Sequence, residues 1–427
     1  VFKAQLRILP SVAFISAFLN NTPVVVIFAP IIKHWAKSVK LPATKFLIPL
    51  SYVTILGGIC TLIGTSTNLV VHGMILEAGY EGFTMFELGK VGIFIAIAGI
   101  IYLFIFSKRL LPDARPDTAV PDEEVEEGEK LHRVEAVLGA RFPGINKKLS
   151  DFNFQRHYGA EVKEIKTRNG QRYVDHLEDV VLREGDTLVV MADDTFIPTW
   201  GESSVFVLLT NGNDPDTSGK KKRWLALILL VLMIVGATVG ELPATKEMFP
   251  DIKLDMFFFV CITTIIMAWT NIFPARKYTK YISWDILITI ACAFAISKAM
   301  VNSGVADCVA GFIIGLSDDY GPHVLLAILF VITNLFTELI TNNAAAALAF
   351  PLALSISAQL GVSPTPFFVV ICMAASASFS TPIGYQTNLI VQGIGNYKFT
   401  DFVRIGLPLN IITFLISVIL IPLIWNF

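Results

Sequence analysis

Two asparagines, each followed by a proline nine residues later, carry the side chains best suited to binding chemistry. Asn21 precedes Pro30, and Asn342 precedes Pro351 by the same interval. An asparagine side chain offers a carbonyl oxygen, which can bind Na⁺, and an amide group, which can donate to an anion. The sequence therefore predicts two related half-sites for a cation, an anion or both.

An eleven-residue motif follows each of these asparagines and makes the repeat specific. The two copies are residues 63–73 and 383–393, and seven of their eleven residues are identical. Each copy contains an asparagine, Asn68 or Asn388, which lies 47 or 46 residues after the first asparagine. Neither copy contains lysine or arginine. The charge of a bound anion would therefore be balanced by co-bound cations and by helix dipoles.

The composition indicates a membrane protein. Of the 427 residues, 54% are hydrophobic and only 16% are charged, and the mean hydropathy is +0.64. Soluble domains carry about 25% charged residues. The net charge of −2 gives no polyelectrolyte signal, and no Lys/Arg run suits a nucleic-acid backbone, so a nucleic-acid partner is set aside. The five cysteines are dispersed without CxxC spacing and are interpreted as small buried hydrophobes.

Long uncharged stretches identify the elements that must position the asparagines. These stretches are residues 8–32, 46–76, 256–275, 339–397 and 405–427. About 20 apolar residues suffice to cross a bilayer, so residues 339–397 must contain more than one segment. Polar and glycine-rich breaks at 20–23, 57–68, 341–343 and 378–387 predict two re-entrant hairpins and two broken helices.

The middle of the chain has a soluble character. Residues 111–130 form an acidic linker. Within residues 131–210, with Asn169-Gly170 as a hairpin-turn signal, the stretches that look like short strands are 133–138, 161–167, 187–191 and 204–209. Residues 211–222 form a basic linker. We therefore expect a small α+β domain, inserted between two transmembrane repeats at residues 1–110 and 223–427.

The basic loops determine the predicted orientation. When every basic cluster is placed on the inner side, residues 111–222 are cytoplasmic and the first hairpin opens inward, while the second opens outward. The two repeats are then inverted copies in the plasma (inner) membrane. We predict an all-α multi-pass membrane protein with inverted repeats, re-entrant hairpins and broken helices, plus the cytoplasmic α+β insert. This architecture is typical of secondary transporters.

The hairpin tips and the glycine loops resemble those of the divalent anion:sodium symporter family, which transports dicarboxylates, citrate and sulfate. The resemblance rests on Asn20-Asn21-Thr22, Thr341-Asn342-Asn343, Gly64-Thr65-Ser66-Thr67-Asn68 and Gly384-Tyr385-Gln386-Thr387-Asn388. This chain departs from the family pattern at Asn20, Asn343 and Tyr385-Gln386.

The resemblance implies roles for these residues. The coupling ion would be Na⁺, bound by Asn21 and Asn342 with help from Gly64, Thr65 and Gly384. The anion would lie between the hairpin tips. The residues implied there are Asn20, Asn21, Thr22, Thr341, Asn342 and Asn343, with Asn68 and Asn388 nearby.

Three further expectations come from resemblance. The soluble insert resembles a TrkA-C domain through Gly185-Asp186-Thr187-Leu188, which implies a cytosolic regulatory ligand. The family implies a homodimer. The chain begins at Val1 inside an apolar segment, so we expect a member that lacks upstream membrane helices.

Other functions stay open at this point. A cation/proton or arsenite-type antiporter would need a titratable carboxylate at the centre, and neither asparagine triplet contains one. Glu338, near the second tip, is either a proton or cation site or a carboxylate at a helix start. A potassium channel would need a selectivity-filter motif, and this sequence contains none. An enzyme would need a nucleophile and a base, and no such pair is recognisable in the sequence. A transport-incompetent regulatory fragment is the remaining alternative.

Overall fold

A computed structural model shows how these segments fold. It describes residues 2–39, 41–113, 132–139, 141–167, 171–193, 205–210, 220–240, 256–270, 284–316 and 321–427, with six single positions between them. Most of the acidic linker, residues 211–219 of the basic linker and the predicted inner basic loop around residues 276–280 lie outside these ranges.

The first membrane region is built from five helices. They are α1 (Phe2–Ser16), α2 (Asn21–Ser38), α3 (Leu47–Gly58), α4 (Ser66–Glu77) and α5 (Gly89–Leu110). The chain is non-helical between α1 and α2, at the first asparagine tip, and between α3 and α4, at the first glycine loop. Both predicted interruptions are therefore confirmed.

The insert contains a five-stranded antiparallel sheet. Its strands are β1 (His132–Leu138), β2 (Glu161–Lys166), β3 (Arg172–Tyr173), β4 (Thr187–Ala192) and β5 (Phe206–Thr210), in the order β3-β2-β4-β1-β5. A short helix, α6 (Phe154–Tyr158), packs with the aromatic core of the sheet. The sequence predicted four of the strands and missed β3. The predicted Asn169-Gly170 turn lies outside the described residues.

The second membrane region contains the remaining helices. They are α7 (Lys220–Gly240), α8 (Met256–Trp269), α9 (Trp284–Asn302), α10 (Val305–Leu316), α11 (Gly321–Leu339), α12 (Asn342–Leu360), α13 (Thr365–Ser376), α14 (Gln386–Gly395) and α15 (Phe399–Ile424). The breaks between α11 and α12 and between α13 and α14 again match the predicted positions.

Four of these helices are long and apolar enough to cross a membrane by length and composition. They are Gly89–Leu110, Gly321–Leu339, Asn342–Leu360 and Phe399–Ile424. The first halves of the broken helices, α3 and α13, are buried along almost their whole length. Because backbone groups cannot stay unpaired in lipid, the breaks are enclosed by protein.

The two halves of the membrane region pack against each other through their hairpins and broken helices. Helix α2 of the first hairpin packs on α3 and on α14, while α12 of the second hairpin packs on α13 and on α4. Each hairpin therefore contacts the broken helix of its own half and that of the other half. This arrangement brings all four interruptions of the chain to the same region.

The insert is held against the membrane region by an ion pair. Lys33 Nζ of α2 lies 3.1 Å from Glu135 Oε2 of β1, and Lys166 Nζ lies 3.4 Å from Glu135 Oε1. Burial raises the pKa of Glu135, but the charges and hydrogen bonds of Lys33 and Lys166 outweigh burial and lower the pKa to about 2. The carboxylate thus links the sheet to the first hairpin.

We predict that acid loosens this link. The folded-state pKa of Glu135 lies below its ordinary value of 4.5, so its stabilisation is complete above pH 4.5 and is lost as the pH falls towards about 2. The contribution is on the order of 3 kcal/mol at most. The measurement is the midpoint temperature of thermal unfolding between pH 7 and pH 3. At pH 7 the midpoint of the wild type should be higher than that of Glu135→Gln, and the difference between the two midpoints should narrow below pH 4.5. A gap independent of pH would contradict this assignment.

Candidate functional site

Four helices begin at one cavity. Helices α2, α4, α12 and α14 start at Asn21, Ser66, Asn342 and Gln386. Thr341 caps α12 by accepting from the Ala344 backbone N–H, whereas the residues before α4 and α14 make no side-chain cap. The first backbone N–H groups of a helix lack partners within it and carry partial positive charge. This region can therefore favour an anion even though no cationic side chain contributes to it.

The cavity has a volume of about 340 Å³ and is lined by both polar and apolar side chains. Its described lining contains no lysine or arginine, and its one charged side chain comes from the insert. The lining residues are Asn20, Thr22, Ser66, Glu184, Ile340, Thr341, Asn342, Asn343, Ile383, Gly384, Tyr385, Gln386 and Leu389. Both predicted hairpin tips therefore reach the same cavity.

Hydrogen bonds join each hairpin tip to the broken helix of the other half. Thr22 Oγ1 donates to Gln386 Oε1 over 3.3 Å. Ser66 Oγ and Thr67 Oγ1 each donate to Asn343 Oδ1 over 3.2 Å. Thr22 and Asn343 both follow their half-site asparagine, and Ser66 and Gln386 hold the same place in the two motif copies. The two halves thus make matching contacts across the cavity.

Tyr385 joins the two half-sites through its hydroxyl group. Asn21 Nδ2 donates to this oxygen over 2.6 Å, and Thr65 Oγ1 lies 2.8 Å from it. The Asn342 side chain also interacts with the same hydroxyl. One oxygen therefore contacts both half-site asparagines.

Asn21 itself is fully buried and lies outside the cavity lining. Its Oδ1 accepts from Ser16 Oγ over 2.8 Å. A Cβ added at Gly58 would lie 2.5 Å from that same Oδ1, so only glycine allows this approach. Asn342, in contrast, lines the cavity. The two asparagines are therefore equivalent in sequence but not in access.

Backbone oxygens converge on the motif glycines. A Cβ at Gly64 would lie 2.5 Å from the Gly58 carbonyl oxygen and 3.0 Å from that of Ala17. A Cβ at Gly384 would meet the Thr337 carbonyl oxygen and Ser378 Oγ. Each glycine therefore lets neighbouring backbone oxygens pack closely against it, and broken transporter helices supply such oxygens to Na⁺. The role of Asn21, Gly64, Asn342 and Gly384 as cation ligands stays a prediction.

The motif asparagines hold the breaks in place. Asn68 Nδ2 donates to the carbonyls of Gly58 (3.5 Å) and Thr61 (2.9 Å), which lie ten and seven residues earlier. Asn388 Nδ2 donates to Ser378 (2.9 Å) and Thr381 (3.1 Å), at the same offsets. These two asparagines therefore satisfy backbone carbonyls that the helices leave free.

Glu338 lies beside the second break, at the end of a helix. It is the penultimate residue of α11, so the alternative of a carboxylate at a helix start is wrong. Its Oε1 accepts from the Ser380 backbone N–H over 2.9 Å and from Asn410 Nδ2 over 2.7 Å. Its Oε2 is buried and has no hydrogen-bond partner in the described part of the chain.

Several contributors to the site were not assigned from the sequence. Tyr385 and Gln386 were noted only as departures from a family pattern, although they bond Asn21 and Thr22. Glu184 comes from the insert, and no local pattern connects it to the cavity. The one sequence signal was positional, because Tyr385 and Gln386 hold the same motif places as Thr65 and Ser66.

Comparison with known proteins agrees with the geometry. The family model described as "Citrate transporter" matches residues 3–350 and 248–427, which together span nearly the whole chain. The chain belongs to this citrate transporter family. The relatives below include proteins named as a sodium/sulfate cotransporter and a sodium-dependent dicarboxylate transporter, so the resemblance to divalent anion:sodium symporters and the multi-pass helical fold are confirmed.

Three relatives of this citrate transporter family member illustrate the match. An uncharacterized transporter of Synechocystis is 30% identical over 496 residues, covering 96% of this chain and 81% of that protein. Sodium/sulfate cotransporter 2 of Chlamydomonas reinhardtii is 30% identical over 281 residues, covering 66% of this chain and 31% of that protein. The sodium-dependent dicarboxylate transporter of Staphylococcus saprophyticus is 25% identical over 145 residues, covering 34% and 28%.

We predict that Tyr385→Phe destabilises the transporter. Removal of the hydroxyl leaves the buried Asn21 amide without its acceptor, which costs about 1–3 kcal/mol. The midpoint of thermal unfolding should fall. Tyr80→Phe is the matched control, because Tyr80 is 46% exposed and should tolerate the change. Equal midpoints for the two variants would show that the Tyr385 hydroxyl does not hold the half-sites together.

Proposed function

We propose that this protein is a secondary active transporter that moves a small divalent anion inward with Na⁺ by alternating access. The anion class is sulfate or a di- or tricarboxylate. The single observation that carries this proposal is the cavity at which four helices begin and two asparagine hairpin tips meet. The names of the sodium/sulfate and dicarboxylate relatives support the same chemistry.

Anion binding follows from the direction of the helices. The N-termini of α2, α4, α12 and α14 all lie at the cavity and favour negative charge. Side chains of Asn20, Thr22, Thr341 and Asn343 line it and supply hydroxyl and amide donors. A dianion held by neutral donors and partial charges keeps most of its charge unneutralised. A cation bound with the anion would supply the balance.

Na⁺ coupling follows from the oxygens next to these helix starts. The carbonyls of Gly58 and Ala17 converge near Gly64, and that of Thr337 converges near Gly384. Asn21 Oδ1 approaches the first set closely. We assign one Na⁺ to each half, with Asn21, Gly64 and Thr65 in the first and Asn342 and Gly384 in the second.

A proton-coupled carrier is the second candidate, and Glu338 favours it. This carboxylate lies at the second break, and one of its oxygens has no partner among the described residues. Ionisable groups inside a membrane are functional by default. Coupling to H⁺, as in a cation/proton or arsenite-type antiporter, would use Glu338 in place of the asparagine half-sites.

The remaining assignments are also proposals. We place the protein in the plasma (inner) membrane as a homodimer of inverted repeats, with residues 111–222 in the cytoplasm. The insert would be a TrkA-C-like domain that binds a cytosolic ligand. A depression of about 750 Å³ on the sheet, lined in part by His176, Glu178 and Asp179, is large enough for one. If purified protein catalyses no uptake, the alternative of a transport-incompetent regulatory fragment is favoured.

We predict Na⁺-driven uptake of sulfate, succinate or citrate into proteoliposomes. Asn21→Ala and Asn342→Ala should each reduce Na⁺-dependent uptake at least tenfold, because each removes a side-chain oxygen and two donors from a half-site. Glu338→Gln distinguishes coupling to Na⁺ from coupling to H⁺. If Na⁺ is the coupling ion, uptake by this variant should still depend on Na⁺.

Three results bear on the proposal. Uptake that is unchanged in both asparagine variants would contradict the assigned half-sites. Uptake driven by a pH gradient, independent of Na⁺ and abolished in Glu338→Gln would replace Na⁺ with H⁺. Asn153→Ala serves as the control, because Asn153 caps the short α6 helix of the insert and lies outside the cavity lining.

A further inference from the structure

One turn of the insert reaches the cavity between the hairpin tips. The turn connects to β4 and contains Glu184 and Gly185, and Glu184 lines the cavity together with Thr341 and Gln386. The turn is closed by a hydrogen bond from the Arg183 backbone N–H to Asp186 Oδ2 at 2.7 Å. Gly185 has φ +83°, a conformation that side chains other than glycine rarely adopt. The turn is therefore a defined structure.

The turn packs against α14, one of the helices that start at the cavity. A Cβ added at Gly185 would lie 3.3 Å from Leu389 Cδ2. A Cβ added at Gly393 would lie 2.6 Å from Thr187 Oγ1 and 4.0 Å from Thr187 Cβ. Thr187 is fully buried. The insert thus fits closely onto α14 at two successive turns of that helix.

A second anchor fixes the insert to the other half of the membrane region. Lys33, on α2, pairs with Glu135 of β1 at 3.1 Å. Helices α2 and α14 pack on each other, and both begin at the cavity. The insert therefore contacts one helix from each half, and both are among the four helices whose starts form the anion region.

We infer that the insert is a plug that closes its side of the anion cavity and places the Glu184 carboxylate where the substrate must pass. This inference rests on the proposed anion transport. Glu184 has the same sign of charge as the substrate, and it faces helix N-termini that favour negative charge. An anion that enters or leaves on this side must displace both the carboxylate and the turn. Undocking of the insert is then a required step of transport on that side.

The first experiment wedges the plug open. Gly393→Ala places a methyl group against Thr187, so the insert should be pushed off α14. Thr187→Ala combined with Gly393→Ala removes the obstructing hydroxyl and should restore docking. A reporter cysteine, Ser66→Cys, lines the cavity and is read by its rate of reaction with a membrane-impermeant thiol reagent added from the insert side. The five native cysteines are replaced by alanine in this background.

The expected order of rates is specific to a plug. Gly393→Ala should accelerate labelling by an anionic reagent on the order of tenfold, and the double variant should return to the parent rate. Glu184→Gln should accelerate the anionic reagent more than a neutral reagent of equal size, since removal of a like charge changes electrostatic access. Equal labelling in the parent, Gly393→Ala and Glu184→Gln would overturn the proposal.

The second experiment locks the plug shut and does not depend on the wedge variants. The 4.0 Å separation of the two Cβ positions suits a disulfide in Thr187→Cys with Gly393→Cys. Oxidation should slow labelling of the reporter at position 66 from the insert side at least tenfold, and a reductant should reverse it. A disulfide that forms without slowing the labelling would overturn the plug.

These readouts separate the inference from the proposed function. Cavity labelling needs neither Na⁺ nor a transported substrate. If uptake fails while the wedge and lock change labelling as expected, the plug stands and the transport proposal fails. If uptake is driven by Na⁺ while the labelling rate is the same in the parent, wedge and lock variants, the plug inference fails and the transport proposal stands.

Discussion

The hydrogen bonds of Asn68 and Asn388 are the interaction on which the rest of the membrane region depends. A helix broken inside a membrane exposes carbonyls that lipid cannot satisfy, at a cost of several kcal/mol for each. Each asparagine donates to two such carbonyls at matching offsets within its own half. The breaks are thereby stabilised without water. Because the breaks persist, helices α4 and α14 can begin at the cavity and turn their positive ends towards it.

The second requirement is that the two halves act on one site. Hairpin tips reach across to the opposite broken helix, and the Tyr385 hydroxyl contacts Asn21, Thr65 and the Asn342 side chain. The two half-sites are therefore joined through a single side chain. The halves are not identical, because Asn21 is buried while Asn342 faces the cavity. Access of an ion to the two half-sites should differ accordingly.

Sequence reasoning predicted the parts of this arrangement that are encoded locally. The breaks follow from polar interruptions in apolar segments, four strands of the insert follow from their local pattern, and the pairing of the two tips follows from the repeated spacing of Asn21 and Asn342. It did not predict Tyr385 as the bridge, since its hydroxyl acquires a role only once α14 packs on α2. Of the two alternatives for Glu338, the one that placed it at a helix start is wrong, because the residue lies at the end of α11. The docking of Glu184 and Glu135 onto the membrane helices depends on contacts between distant segments, which no periodicity encodes.

Charge balance gives the most direct test of the account. The described cavity lining has no cationic side chain, so a dianion should bind well only with its coupling ions. Anion and Na⁺ should therefore raise each other's affinity by the same factor. The measurement is thermal unfolding of the purified protein with sulfate, succinate or citrate, in NaCl or KCl of equal ionic strength. We predict that one of these anions raises the unfolding temperature in NaCl but not in KCl. Equal shifts in the two salts, or no shift with any of the anions, would contradict Na⁺-coupled anion binding at this cavity.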